Sequence, residues 1–117
     1  KGYDMAVRLK NAASALSSTN LTTVYTCPTN FTATIREVFV TNVDGSSAAD
    51  ITLKYTDTSA SATFDLVSTK SVAADSYLRL ENANIILEAG DIFKAQASAA
   101  DDLTVSLFIA EQITPAG

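Results

Sequence analysis

The chain has 117 residues and a mass of 12.3 kDa, enough by surface-to-volume scaling to bury roughly two thirds of its extended surface around one core, so a single domain over residues 1–117 is expected. Hydrophobic residues at 47% against 18% charged exclude a disordered acidic tail, because burial can offset the ordering entropy. A net charge of −5 and a pI near 4.4 disfavour nucleic acid as a partner, since phosphate binding needs clustered cations.

At the start of the chain, Lys1 to Asp4 share no pattern with the residues after them, and Met5 is a candidate native start behind a leader remnant. A short strand is expected over 5–9. Residues 11–18 are Ala-rich but too short for a self-sustaining helix and read as a loop or one loose turn. Runs rich in Thr, Val, Ile, Tyr and Phe at 21–26, 34–43, 62–69, 76–81 and 92–98 read as strands. Two further runs alternate strictly. Ile51, Leu53 and Tyr55 face one side within 50–57, and Leu103, Val105, Leu107 and Ile109 do so within 103–109, the pattern of half-buried strands.

Turn residues separate these runs. Asp44-Gly45 and Ala89-Gly90-Asp91 hold the two interior glycines, and Pro28 closes the run at 21–26, where a missing N–H is harmless. About eight antiparallel strands without a helix of crossover length predict an all-β domain, an antiparallel two-sheet β-sandwich of jelly-roll type, with an immunoglobulin-like sandwich second.

The residue inventory offers little for bond-making chemistry. The chain has no His, the commonest general base near neutral pH and the commonest metal ligand. Cys27 is the single Cys, so the chain cannot close an intramolecular disulfide or build a thiolate zinc site, and it reads as a small buried hydrophobe. The acid pairs Asp101 with Asp102 and Glu88 with Asp91 sit among turn residues, where carboxylates cap loops. Asp44, Asp50, Asp101 and Asp102 are loop oxygens of a kind that suits calcium, but no ordered calcium-loop pattern is present. Asn20-Leu21-Thr22 and Asn30-Phe31-Thr32 match the glycosylation acceptor pattern, as chance alone provides. Tyr3, Tyr25, Tyr55 and Tyr77 are the phenols available to stack on a sugar. No apolar run approaches the ~18 residues of a membrane-spanning helix. No catalytic residue, metal, cofactor or membrane partner is expected.

Alternation fails in one informative way. Val38-Phe39-Val40, Ile85-Ile86-Leu87 and Leu107-Phe108-Ile109 are apolar on both faces, whereas each sheet of a sandwich buries only one. A partner subunit covering the second face is the sharper explanation, and scattered surface apolars or the segment before Leu21 the plainer one. Val38, Val40, Ile86 and Phe108 are the expected contact residues of a homo-oligomer.

Two stretches carry a resemblance. Val24-Tyr25-Thr26-Cys27-Pro28-Thr29-Asn30, followed by Ala33 to Asn42, is a strand ending in a proline turn and then a long strand ending in Asn. Tyr77 to Asn82, followed by Ile85-Ile86-Leu87-Glu88-Ala89-Gly90-Asp91, ends in a leucine, acidic, small, Gly, Asp turn. Together they resemble small virion structural proteins of tailed bacteriophages. Thr29-Asn30 departs from the small residue and Gly that often follow the proline there. The resemblance implies a non-enzymatic sandwich that decorates or cements a capsid, or sits at the neck or tail. It further implies a homo-oligomer bound to other virion proteins and assembled in the host cytoplasm. Net negative charge suits the outside of such a particle. A carbohydrate-binding receptor-recognition module of a phage tail is the alternative from another class.

Overall fold

Alternating Thr, Val, Ile and Leu favour extended backbone because branched side chains pack well on a pleated surface. The computed structural model describes residues 6–114. Within them are nine strands: β1 (Val7–Ala15), β2 (Thr22–Thr26), β3 (Phe31–Asn42), β4 (Ala49–Asp57), β5 (Ala62–Val72), β6 (Tyr77–Leu80), β7 (Ile85–Leu87), β8 (Ile92–Ala97) and β9 (Leu103–Ile113). Pairing is antiparallel throughout. One sheet runs β1-β9-β3-β6, with β7 also on β3, and the other runs β2-β8-β4-β5. With β6 and β7 counted as one broken strand, this is an eight-strand jelly roll of two four-stranded sheets. The immunoglobulin-like alternative is set aside.

The inward rows interdigitate as the sequence alternation requires. Leu103, Val105, Leu107 and Ile109 of β9 meet Ile51 and Leu53 of β4 and Phe93 of β8 in one core, all essentially without solvent contact. The turn at 88–91 places Gly90 at φ +87°, closed by Asp91 N donating to Glu88 O at 2.9 Å; a Cβ there would be strained by backbone conformation alone. In the proline turn, Phe31 N donates to Pro28 O and Asn30 takes φ +69°. Asn tolerates the left-handed region, so the turn forms without the glycine.

Three expectations are corrected. Residues 11–18 are not a loop or loose turn: β1 runs through Ala15, and Leu16 behind it is buried. The reason is tertiary, because β9 supplies a partner for every residue from Val7 to Ala15, which a short isolated segment lacks. The strand expected at 5–9 begins at Val7, and Met5 and Tyr3 lie outside the described residues. Val38 and Val40 are fully buried core residues and not surface positions. An extra residue at Arg36 bulges β3 between Ile35 and Glu37, and this flips the inward row from 33 and 35 to 38, 40 and 42.

Candidate interaction surface

The bulge that turns Val38 and Val40 inward turns Phe39 outward, onto the solvent face of the β1-β9-β3-β6 sheet. Register assigns that face. Phe108 of β9 lies opposite Asn11 of β1 and Glu37 of β3, Phe39 lies opposite Ser106 and Arg79, and Thr34 lies opposite Ile86 of β7. Phe108 is 44% exposed and Ile86 56%, so these two expected contact residues do stand on the outer face. Leu9 and Tyr77 join them, at 76% and 62% exposed.

The aromatic part is ordered. The Phe108 ring packs edge-on against Phe39 with centroids 5.9 Å apart, and Tyr77 lies 6.1 Å from Phe39 on the other side. The Arg79 guanidinium sits 5.2 Å over the Phe39 ring while its Nε and Nη2 both donate to Glu37 Oε1 at 3.1 and 2.9 Å. Cation and carboxylate thereby hold the ring in place from within the chain. Leu9, Asn11, Glu37 and Phe108 border an open groove of about 440 Å³ beside this patch. Sequence reading did not place Phe39, Tyr77 and Leu9 among the contact residues. For Leu9 no signal pointed outward, since alternation of Val7 and Leu9 with Arg8 and Lys10 would turn the apolar pair inward; for Phe39 the triplet marked two apolar faces, and the bulge decides which one it takes.

A second constellation lies inside one end of the sandwich. Glu111 occupies the inward row of β9 with no solvent exposure, accepting hydrogen bonds from the Arg8 guanidinium and the Tyr25 hydroxyl, with Lys10 Nζ 3.8 Å away. Arg8 also lies 4.1 Å over the Phe31 ring. Burial pushes the Glu111 carboxyl up, but the bonds from Tyr25 and Arg8, with the charge of Lys10, outweigh it and leave it below the ordinary carboxylate range. Burial, and then the neighbouring carboxylate, push the Tyr25 phenol well above its ordinary value. A carboxylate held ionised and fully engaged ties β1, β2 and β9 together; it is not poised to exchange a proton near neutrality.

The remaining acids serve turns. Asp91 Oδ1 accepts from Thr58 N and Oγ1, and its Oδ2 from Glu88 N at 2.9 Å. Asp57 accepts from Ser59 Oγ and Ala60 N. Asp57, Glu88 and Asp91 are the one group of three such ligands that converges among the described residues; Asp44, Asp50, Asp101 and Asp102 do not. Asp44 accepts from Ser47 N. Asn42, at the end of β3, is buried and spans three segments through Ser47 O, Val72 O and Asp44 N. Cys27 is buried and free, its thiol pushed up by desolvation.

No protein-family model matches the chain, and no curated protein matches it by sequence. The fold is similar to a chain of the acid-stable capsid structure of Helicobacter pylori bacteriophage KHP30, with TM-score 0.55 and 8% identity over 96% of this chain and 92% of that one. It is also similar to a chain of the virus-like particle of extra small virus from the giant freshwater prawn Macrobrachium rosenbergii, with TM-score 0.50 and 11% identity over 99% and 84%. A weaker likeness, to Eiger TNF from S. frugiperda, has TM-score 0.44 and supports no argument. At these identities the likeness establishes a shared two-sheet fold.

Proposed function

We propose that the protein is a non-enzymatic structural component of a virus particle, acting by association with its neighbours as a capsid decoration or stabilisation protein, or as a neck or tail accessory. The observation that carries this reading is the solvent face of the β1-β9-β3-β6 sheet. There Phe39, Phe108 and Tyr77 form an aromatic cluster, and exposed Ile86 and Leu9 stand on the same face, an apolar surface of a kind small proteins seldom leave uncovered. The patch is rimmed by Arg79 and Glu37, which neutralise each other, so a partner covering it desolvates little net charge. Jelly-roll chains from a phage capsid and a virus-like particle share the fold, which supports a role in such an assembly. The net charge of −5 favours a position away from packaged nucleic acid.

The experiment is mass spectrometry of purified particles, with immunogold labelling of intact ones by antibody to this chain. The protein is expected as a stoichiometric component, labelled without disruption of the particle. Its absence from particles whose host cells contain it overturns the reading.

A further inference from the structure

We propose that two copies of this chain pair antiparallel along the edge of β1 that is unpaired among the described residues, centred on Asn11, so that the sheets containing β1 join into one continuous sheet. This deepens the association reading above by naming one partner, a second copy, and one contact, an edge distinct from the aromatic face.

An unpaired strand edge offers a row of N–H and C=O groups, and proteins ordinarily blunt it. Three of the four sheet edges here are blunted. β2 has five residues and a register shift. β5 has two register shifts against β4 and places Thr69 at φ +46°. The opposite edge of the first sheet is split between four-residue β6 and three-residue β7. β1 carries two charges, Arg8 and Lys10, but both are already engaged with Glu111, and its backbone differs from the other edges: nine residues in unbroken register with β9, with no bulge and no proline.

The hydrogen-bonding parity of that edge follows from one bond. Leu16 N donates to Leu103 O at 2.9 Å, and the register continues without a shift back to Val7 opposite Gln112. Antiparallel alternation then turns the even-numbered residues of β1 toward β9 and the odd-numbered ones, Val7 through Ala15, toward the open edge. A second β1 centred on Asn11 pairs odd with odd: Asn11 with Asn11, Leu9 with Ala13 and Val7 with Ala15. Donors therefore meet acceptors along the whole strand.

Centring on Asn11 overlaps the whole of β1, Val7 through Ala15, and charge rules out slippage toward the first half of the strand. Arg8 and Lys10 occupy the first half of β1, and Ala12, Ala13, Ser14 and Ala15 the second. Centred on Asn11, each cation lies opposite Ser14 or Ala12 of the other copy, and Leu9 covers Ala13. Sliding the centre to residue 10 sets Lys10 against Lys10, and sliding it to residue 9 sets Arg8 against Lys10; directly opposed like charges are destabilising. In the chosen register the paired Asn11 side chains lie together on the outer face, and each Leu9 extends the apolar patch of its own copy toward the other.

The test is light scattering on size-separated protein across a concentration series, with two variants. Wild-type protein is expected to approach twice 12.3 kDa. Ala13→Pro removes an N–H that faces the open edge and none that bonds β9, a position where proline is tolerated. It is expected to weaken the dimer roughly tenfold to a hundredfold while leaving the circular dichroism spectrum unchanged. Asn11→Cys brings self-paired Cα atoms to about 5.5 Å, within disulfide reach, and is expected to cross-link under mild oxidation, whereas wild-type protein, with Cys27 buried, does not. A wild-type mass of 12.3 kDa throughout, an assembly of odd order, or an oligomer that Ala13→Pro leaves intact overturns the proposal. So does a monomer whose Val7, Leu9 and Asn11 amides resist hydrogen exchange, which would show the edge covered by the chain itself. Each of these leaves the particle reading standing, because that is read on particles.

Discussion

Substitution of Phe108 by Asp separates the stability of the subunit from its association. Phe108 is 44% exposed, so just over half of a side chain whose full burial is worth about 1.5–3 kcal/mol already packs within the subunit, contributing about 1–1.5 kcal/mol. The edge-on contact with Phe39 at 5.9 Å adds about 0.5–1.5 kcal/mol. The new carboxylate, directly opposite Glu37, costs a few tenths more, at about 0.2–1 kcal/mol for a cross-strand pair. The sum, about 2–4 kcal/mol, falls below the roughly 5–15 kcal/mol stability of a small domain, so the subunit stays folded with its Tm lowered by roughly 10–15 °C. Association suffers more. Covering this face would bury the exposed remainder of the ring, worth about 1 kcal/mol, and an unpaired carboxylate in its place costs several kcal/mol, so binding weakens by roughly a hundredfold or more. The assay adds purified variant to particles stripped of the protein and counts copies retained after sedimentation, with circular dichroism as the folding control. Phe108→Leu, which keeps an apolar side chain, is expected to retain near wild-type occupancy. A folded Phe108→Asp subunit that occupies particles as fully as wild type refutes the assignment of this face.

Acid stability reports on Glu111. Its folded carboxyl titrates below the ordinary range, so its contribution is present above the unfolded value of about 4.3 and is lost as pH falls through the folded one. Thermal melts should therefore show an acid-side loss that Glu111→Gln flattens, and superimposable pH profiles for the two proteins would contradict this. Tyr25 has the opposite sign: its raised phenol favours the fold below its ordinary value of about 10, and that contribution fades as pH rises further; Tyr25→Phe should abolish this alkaline arm. Asp91→Ala strands the amides of Thr58 and Glu88 and should cost about 1–3 kcal/mol in urea unfolding, with a neutral result counting against the capping role. Because those oxygens are already engaged, millimolar calcium should shift Tm by less than about 1 °C, and a shift of several degrees would identify a bound ion. Cys27, buried and free, should be alkylated only as fast as the subunit unfolds; rapid labelling of native protein would refute its burial.

Much of the fold was legible because period-two alternation reports burial directly. In β4 and β9 the residues predicted to face the core are those buried or packed against it: Ile51, Leu53 and Tyr55, and Leu103, Val105, Leu107 and Ile109. The turn at Ala89-Gly90-Asp91 was equally plain, since its geometry needs a residue free to take positive φ. β1 was not, because its small side chains alternate too weakly to signal a face, and only pairing with β9 makes it a strand.

The candidate surface divides the same way. That Val38-Phe39-Val40 has apolar residues for two faces is a property of the sequence, as is the shortage of groups for catalysis. Which of those residues reaches solvent is decided by one extra residue at Arg36, accommodated between fixed register points on β9. A bulge changes no composition and breaks no local pattern strongly enough to be read, yet it inverts every side chain beyond it. Likewise Glu111 continues the alternation of β9 without a sign that it is buried, and only the approach of Arg8 from β1 and Tyr25 from the opposite sheet makes an ionised carboxylate tolerable there. Local periodicity encodes what one strand can bury by itself; faces, edges and buried charges depend on partners far away in the chain, which exist only once the sheets have assembled.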